Sequence, residues 1–235
     1  MAEAINKAGR QRMLSQRLAK SYMARGQDVD SGLADRTLDA SMSMFERQLG
    51  EPRSLAFQGG VADALRRLEA SWRPYRAALT AGPPDRTRAP AVLSCAADVL
   101  ARAQECTALL VAMSGQAIGR CVDTSGRQRM LSQRIALLYL SSSWGLEGAS
   151  AQAEIASGSA KFAAAQAALL SAPESTAAIR DQLALANQQW TFFGAALRGL
   201  RPGVADPEAM SHVFTTSERI LEVMEDVTGQ YAKSG

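Results

Sequence analysis

Histidine, cysteine and long apolar runs are scarce in this sequence, and each scarcity excludes a class of function. His212 is the only histidine in 235 residues, which argues against a histidine-based metal site and a serine–histidine triad. Cys95, Cys106 and Cys121 are spaced too widely for a bridge within one helix, and we interpret them as small core residues. With no nucleophile–base pair or metal cluster in view, we expect no enzymatic activity, no metal and no cofactor.

Membrane-spanning runs and a strong charge bias are also missing. No apolar run approaches the roughly 18 to 20 residues that a spanning helix needs. Lysine and arginine total 26 against 23 acidic residues, a balance too even to indicate nucleic-acid binding. We therefore expect a soluble chain with no membrane span and no nucleic-acid partner.

Aromatic residues make up only 6% of the chain and β-branched residues are sparse, whereas alanine, leucine, glutamine and arginine are plentiful. This composition predicts an all-α protein. Breaks at glycine and proline divide the chain into eight predicted helices. They cover about 4–26, 33–49, 61–79 and 90–117 in the first half, and about 125–144, 150–170, 175–198 and 207–232 in the second.

One nine-residue stretch occurs twice without change, as Gly9–Arg17 and again as Gly126–Arg134. An identical repeat of this length at an offset of 117 residues indicates a tandem duplication. Weaker matches follow the motif at offsets of 117, 118 and 121 residues. They are Phe45 with Phe162, Trp72 with Trp190, Tyr75 with Phe193, Val92 with Val213, Val99 with Ile220, Leu100 with Leu221 and Thr107 with Thr228.

The matched positions are mostly apolar and recur at helical spacing, which predicts two four-helix bundles in tandem, residues 1–117 and 118–235. Between them, residues 119–126 carry turn and cap residues. The fourth helix either continues straight into the second motif helix or reverses there, and we favour the reversal. It would set the two motif helices side by side and parallel about a pseudo-twofold axis.

A helical projection divides each motif helix into two faces. Leu14, Leu18 and Tyr22 share one face of the first helix and predict packing into its own core. The opposite face places an arginine and a glutamine among small residues. Its members are Gly9, Arg12 and Gln16 in the first copy and Gly126, Arg129 and Gln133 in the second.

If these faces meet, Arg12 and Arg129 approach each other, and two guanidinium groups about 5 Å apart repel by roughly 3 kcal/mol at an effective dielectric of 20. Such a pair requires an anion or a carboxylate. A small planar oxyanion matches the guanidinium fork, and glycine permits close approach. The alternative is that each arginine pairs with an acidic residue from another helix or is solvated. We expect Arg10, Arg17, Arg127 and Arg134 to cap or pair within their own bundles.

Ile5–Lys20 resembles the signature of the type IV pili methyl-accepting chemotaxis transducer N-terminal domain, called the PilJ-type domain. It is also similar to the P-box of nitrate/nitrite sensor kinases. The resemblance implies two such domains in tandem, a periplasmic four-helix-bundle sensor, and nitrate or nitrite bound between two signature helices. Carried over by motif, the residues in contact with the anion are Gly9, Arg12, Gly126 and Arg129. Val122–Ser125 replace Ile5–Ala8, which predicts an asymmetric site.

The leading hypothesis is a soluble nitrate-binding sensor, with nitrite as the other ligand, that signals through a sensor kinase, a chemoreceptor or another signalling protein. We expect a periplasmic location, because the chain begins almost directly on its first motif; the cytoplasm is the alternative. A rival hypothesis is a helical interaction module that binds no anion and docks a partner through the motif face. A third is a cytoplasmic nitrate receptor separated from an RNA-binding output domain.

Overall fold

A computed structural model describes residues 1–50, 59–146 and 149–235. All eight predicted helices are confirmed, and the described ranges contain no strand. The helices are α1 (Ala2–Gly26), α2 (Ser31–Gly50), α3 (Gly60–Thr80), α4 (Ala89–Ser114), α5 (Ala117–Ser143), α6 (Ala149–Ser171), α7 (Ala177–Leu197) and α8 (Pro207–Lys233).

Local capping chemistry sets several of the helix ends. Asp206 caps α8 by accepting a hydrogen bond from the backbone N–H of Ala209 at 3.0 Å, with Pro207 in the first turn. Thr176 caps α7 through Ile179 in the same way. These side chains satisfy backbone donors that a helix leaves without a partner at its start.

Each half of the chain forms a four-helix bundle, as predicted. The first helix of each half packs against the second and fourth helices, and the third packs against the fourth. Equivalent aromatic pairs close the two bundles: Phe45 stacks on Trp72 with ring centroids 4.3 Å apart, and Phe162 stacks on Trp190 at 3.6 Å. The matched phenylalanines and tryptophans therefore stack in the same way in both halves.

The two motif helices, α1 and α5, form the most extensive interhelical contact of the described residues. Contacts at both ends show that they run parallel. At one end, a Cβ built on Gly119 would lie 3.2 Å from Ile5 Cδ1. At the other, Gln27 Nε2 donates to the Leu140 carbonyl at 2.9 Å. This confirms the predicted side-by-side arrangement about a pseudo-twofold axis.

The chain does reverse between α4 and α5, but not over the predicted stretch of residues 119–126. Helix α4 ends at Ser114, and Gly115 adopts a left-handed backbone with φ 62°, a conformation that glycine reaches without steric strain. Helix α5 starts at Ala117 and runs through the whole of 119–126. The proposed division between residues 117 and 118 thus falls in the first turn of α5.

None of the helices in the described ranges combines the length and the hydropathy required to span a lipid bilayer.

The packing of α1 on α5 predicts that Gly26→Ala destabilises the protein. A Cβ on Gly26 would lie 2.2 Å from the Trp144 ring, so the ring must move out of the contact between the two helices. We expect the free energy of unfolding to fall by about 1–3 kcal/mol, measured by urea denaturation. Gly194→Ala is the matched control, because a Cβ there meets no atom within 4 Å. A loss of stability no larger than that of the control would contradict this account of the interface.

Candidate functional site

Two arginines are buried where α1 meets α5. Arg12 and Arg129 are equivalent residues of the two motif copies, and both side chains are fully buried. Both guanidinium groups end beside the same glycine, because a Cβ on Gly126 would lie 3.2 Å from Arg129 Nη2 and 3.3 Å from Arg12 Nη2. A Cβ on Gly9 would lie 3.0 Å from Arg12 Nη2. The structure therefore brings these four residues together, while their role in binding a ligand stays a prediction.

Each buried arginine pairs with one carboxylate from another helix, as the alternative stated from the sequence predicts. Arg12 Nη1 lies 2.8 Å from Asp123 Oδ1 and donates to Gln104 Oε1 at 2.9 Å. Arg129 Nη1 donates to Glu225 Oε2 at 2.6 Å. These carboxylates offset the repulsion between the two guanidinium groups.

The other edge of each guanidinium is poorly satisfied. Arg12 Nη2 reaches the Asp123 carbonyl only at 3.5 Å, and Arg129 Nη2 reaches the Asn6 carbonyl only at 3.4 Å. The buried Nε atoms of both arginines have no hydrogen-bond partner among the described residues. A guanidinium has five N–H donors, and two adjacent ones form the fork that binds a planar oxyanion. The edge with Nε and Nη2 has donors to spare for such a ligand.

Burial and charge act in opposite directions on these groups. Burial lowers the pKa of Arg12 to about 10, although Asp123 opposes the shift. Burial likewise lowers the pKa of Arg129, against the influence of Glu225. Burial alone would raise the pKa of Glu225, but Arg129 and Arg10 together lower it. Arginine keeps its proton in proteins and the pKa of Glu225 is lowered, so the site holds two cationic guanidinium groups and an ionised carboxylate at neutral pH.

The site is asymmetric, as the substitutions before the second motif predict. Asp123 is the counterpart of Asn6, and Glu225 is the counterpart of Gln104. At each of these two pairs of positions, one half of the chain carries a carboxylate and the other half a side-chain amide. Gln104 and Glu225 are residues of the site that the sequence motifs did not single out. The signal that would have found them is the 121-residue offset already visible in the fourth helices, because it aligns these two positions.

Gln16 and Gln133 occupy equivalent places on the predicted ligand face, but each is engaged by a neighbouring backbone. Gln16 Nε2 donates to the Ala96 carbonyl at 3.2 Å, and Gln133 Nε2 donates to the Ser217 carbonyl at 2.9 Å. These bonds tie each motif helix to the fourth helix of its own half. The amide nitrogens are thus used in packing, and a ligand role for these glutamines stays a prediction.

The prediction that the outer arginines pair within their own bundles is wrong for two of the four. Arg10 donates to Glu225 through Nε at 2.7 Å, and Arg17 donates to Glu218 through Nε at 3.1 Å. Both carboxylates lie on α8, in the other half. Because α8 packs against α1 as well as α5, its acidic residues reach motif arginines that were expected to cap or pair within their own bundle.

A buried lysine strengthens this contact between α1 and α8. Lys20 is fully buried, with Nζ 2.6 Å from Glu218 Oε1 and 4.2 Å from the centre of the Phe214 ring. Burial lowers the pKa of Lys20 to about 8. Burial alone would raise the pKa of Glu218, but Lys20 and Arg17 lower it to about 2. The pair is therefore ionised at neutral pH.

The structure also bears on the rival hypothesis that the motif face docks a partner. Arg12, Gln16, Arg129 and Gln133 have no exposed surface, because α1 and α5 cover each other. A partner helix would have to separate the two halves of the chain to reach this face, so the rival hypothesis is not supported in that form.

Comparison with known protein families gives a match that covers most of the chain. The family model of the type IV pili methyl-accepting chemotaxis transducer N-terminal domain, PilJ, matches residues 1–95 and 111–228. Both motif copies lie inside the matched segments. Comparison with the curated proteins and with the solved structures finds no match.

The Lys20–Glu218 pair predicts a defined dependence of stability on pH. The folded pKa of Glu218, about 2, lies below its ordinary value of 4.5. Its contribution is therefore present above about pH 4.5 and is lost as pH falls towards 2. We expect Glu218→Gln to flatten the pH dependence of the unfolding free energy in this window. At pH 7 it should cost roughly 3 kcal/mol, because Lys20 is left as an unpaired buried charge.

Urea denaturation at pH 7 and across pH 2–5 measures both effects. The double variant Lys20→Leu with Glu218→Gln is the control, because leucine is the residue at the equivalent position, Leu137. It should regain most of the stability lost at pH 7. Full stability of the single variant at pH 7 would show that the ion pair contributes nothing to the fold.

Proposed function

Because this chain belongs to the family of type IV pili methyl-accepting chemotaxis transducer N-terminal domains, which are sensory and signalling modules, we propose that it senses nitrate. Nitrite is the second ligand in the proposal. The anion lies between α1 and α5, held by Arg12 and Arg129, with Gly9 and Gly126 leaving room for the guanidinium groups and the ligand.

The observation that carries the proposal is that two buried guanidinium groups, Arg12 and Arg129, end beside Gly9 and Gly126. Each guanidinium has an Nε donor without a partner among the described residues. Nitrate is planar, and two of its oxygens can accept from the Nε and Nη2 donors of one arginine. The third oxygen is left for the arginine on the other helix. A buried N–H donor without a hydrogen-bond partner costs free energy. An anion that accepts from the Nε and Nη2 donors removes this cost.

The carboxylates already present favour a singly charged ligand. Asp123 and Glu225 each place a carboxylate against a buried guanidinium, which lowers the positive potential that a second negative charge on the ligand would meet. A doubly charged anion such as sulfate would be repelled by both carboxylates in a medium of low dielectric. The proposal is therefore specific for nitrate and nitrite over sulfate.

A ligand between α1 and α5 also bridges the two halves of the chain. Anion binding strengthens the contact between α1 and α5, which sets the position of one bundle relative to the other. A partner protein detects this change. We propose a sensor kinase or a chemoreceptor as the partner. The proposed location is the periplasm, because domains of this family are typically extracytoplasmic.

Nitrate should stabilise the folded protein if it binds only the folded state. At 100 times its dissociation constant, we expect a gain of about 2.7 kcal/mol in the free energy of unfolding. Isothermal calorimetry gives the affinity, and thermal unfolding with added nitrate, nitrite, chloride or sulfate gives the specificity. No response to nitrate or nitrite up to millimolar concentration would overturn the proposed function.

Arg12→Lys and Arg129→Lys test the role of the fork separately from that of the charge. Lysine keeps the positive charge but lacks the planar pair of donors, so each variant should bind nitrate more than about tenfold more weakly, a loss of about 1.4 kcal/mol. Arg127→Lys is the matched control, because its half-exposed side chain pairs with Asp123 at the surface of the same helix. Equal affinities in all three variants would count against binding by the buried pair.

A further inference from the structure

Glu225 is placed differently from every other acidic group at the site, because it joins three helices. Its Oε1 accepts from Arg10 on α1 at 2.7 Å, and its Oε2 accepts from Arg129 on α5 at 2.6 Å. Glu225 itself lies on α8. Its counterpart in the first half, Gln104 on α4, accepts from Arg12 at 2.9 Å but carries no charge.

We propose that Glu225 is a built-in competitor of the ligand, which holds α8 against Arg129 in the ligand-free protein and is released when the anion binds. This inference rests on the proposed function and names the regulation of the same site. It makes α8 the element that reports whether the anion is bound.

The competition follows from charge and burial. Arg129 has no exposed surface and the Glu225 side chain is 31% exposed, so solvent screens the repulsion between two negative groups on Arg129 only in part. A buried guanidinium that is already neutralised by Glu225 attracts a second anion more weakly, and the two anions repel each other. Nitrate binding therefore weakens the bond between Glu225 and Arg129.

Arg10 gives the released carboxylate a place to go. Its side chain is 19% exposed, and it already binds the Oε1 atom of Glu225. After release, Glu225 keeps one charged partner at the edge of the site and is not left as a buried unpaired charge, which would be far more unfavourable. Glu225 can thus break its bond to Arg129 on α5 and still keep its ion pair with Arg10 on α1.

The second half alone has this device. At the positions on α4 that correspond to Glu218, Glu222 and Glu225, the first half carries Ala97, Ala101 and Gln104. Helix α4 therefore offers no carboxylate from these positions to the motif arginines, whereas α8 offers two. A change in charge at the site therefore acts on α8 and leaves α4 in place. Although the chain is a duplication, only its second half responds to the anion.

Linkage makes the coupling measurable from the ligand side. If Glu225 and the anion compete for Arg129, removing the charge of Glu225 must raise the affinity for nitrate, and adding a charge at its counterpart must lower it. Glu225→Gln should bind nitrate at least about fivefold more tightly than the unaltered chain, the lower end of typical coupling between sites. Gln104→Glu should bind it at least about fivefold more weakly.

Glu222→Gln is the matched control for long-range charge, because Glu222 lies one turn from Glu225 on α8 and is exposed. Calorimetry on the unaltered 235-residue chain and the three variants should find the affinity of Glu222→Gln within about twofold of the unaltered chain. An unchanged or weaker affinity in Glu225→Gln overturns the competition, and so does an equal gain in Glu222→Gln. No binding by the unaltered chain overturns instead the proposed function.

Hydrogen exchange tests the release of α8 without relying on affinity. Added nitrate, and Glu225→Gln in the absence of nitrate, should each speed amide exchange in the part of α8 around residue 225, while exchange in α3 stays unchanged. If nitrate leaves α8 as protected as before, Glu225 is not released. If Glu225→Gln leaves it protected without nitrate, Glu225 does not hold α8. Either result overturns the inference.

Discussion

Two guanidinium groups of like charge are buried together where α1 meets α5. Carboxylates on neighbouring helices compensate this charge. Helix α5 brings Asp123 to Arg12, and α8 brings Glu225 to Arg129. The motif glycine lets the guanidinium groups lie against the helix backbone, where any Cβ would crowd them. The burial of charge therefore determines which neighbours the motif helices require.

Charge compensation also explains why the two halves are no longer equivalent. Acidic residues on α8 pair with Arg10 and Arg17 of α1, whereas α4 has alanine and glutamine at the matching places. The buried Lys20 adds to the same contact, and its counterpart is Leu137. One half of the duplication thus carries ionic contacts that bind it to the motif helix of the other half.

Much of the fold could be predicted because its signals are local. Glycine and proline breaks, helix caps and the 3.6-residue spacing of apolar residues predicted all eight helices. Seven of them agree within three residues at each end, whereas α5 begins at Ala117, eight residues before its predicted start. The one misplaced element is the reversal before α5. Residues 119–126 contain turn formers, but Gly119 and Gly126 are glycines for close packing against Ile5 and the arginine pair, a reason that depends on a distant helix.

The sequence by itself determined the duplication, the all-α class and the helical face that Gly9 shares with Arg12 and Gly126 with Arg129, because an identical repeat projected on a helix gives the same face twice. Only the tertiary structure decided which carboxylates neutralise the arginines. Asp123, Glu218 and Glu225 reach them from helices distant in the chain, and helical periodicity carries no information about which surfaces of separate helices meet.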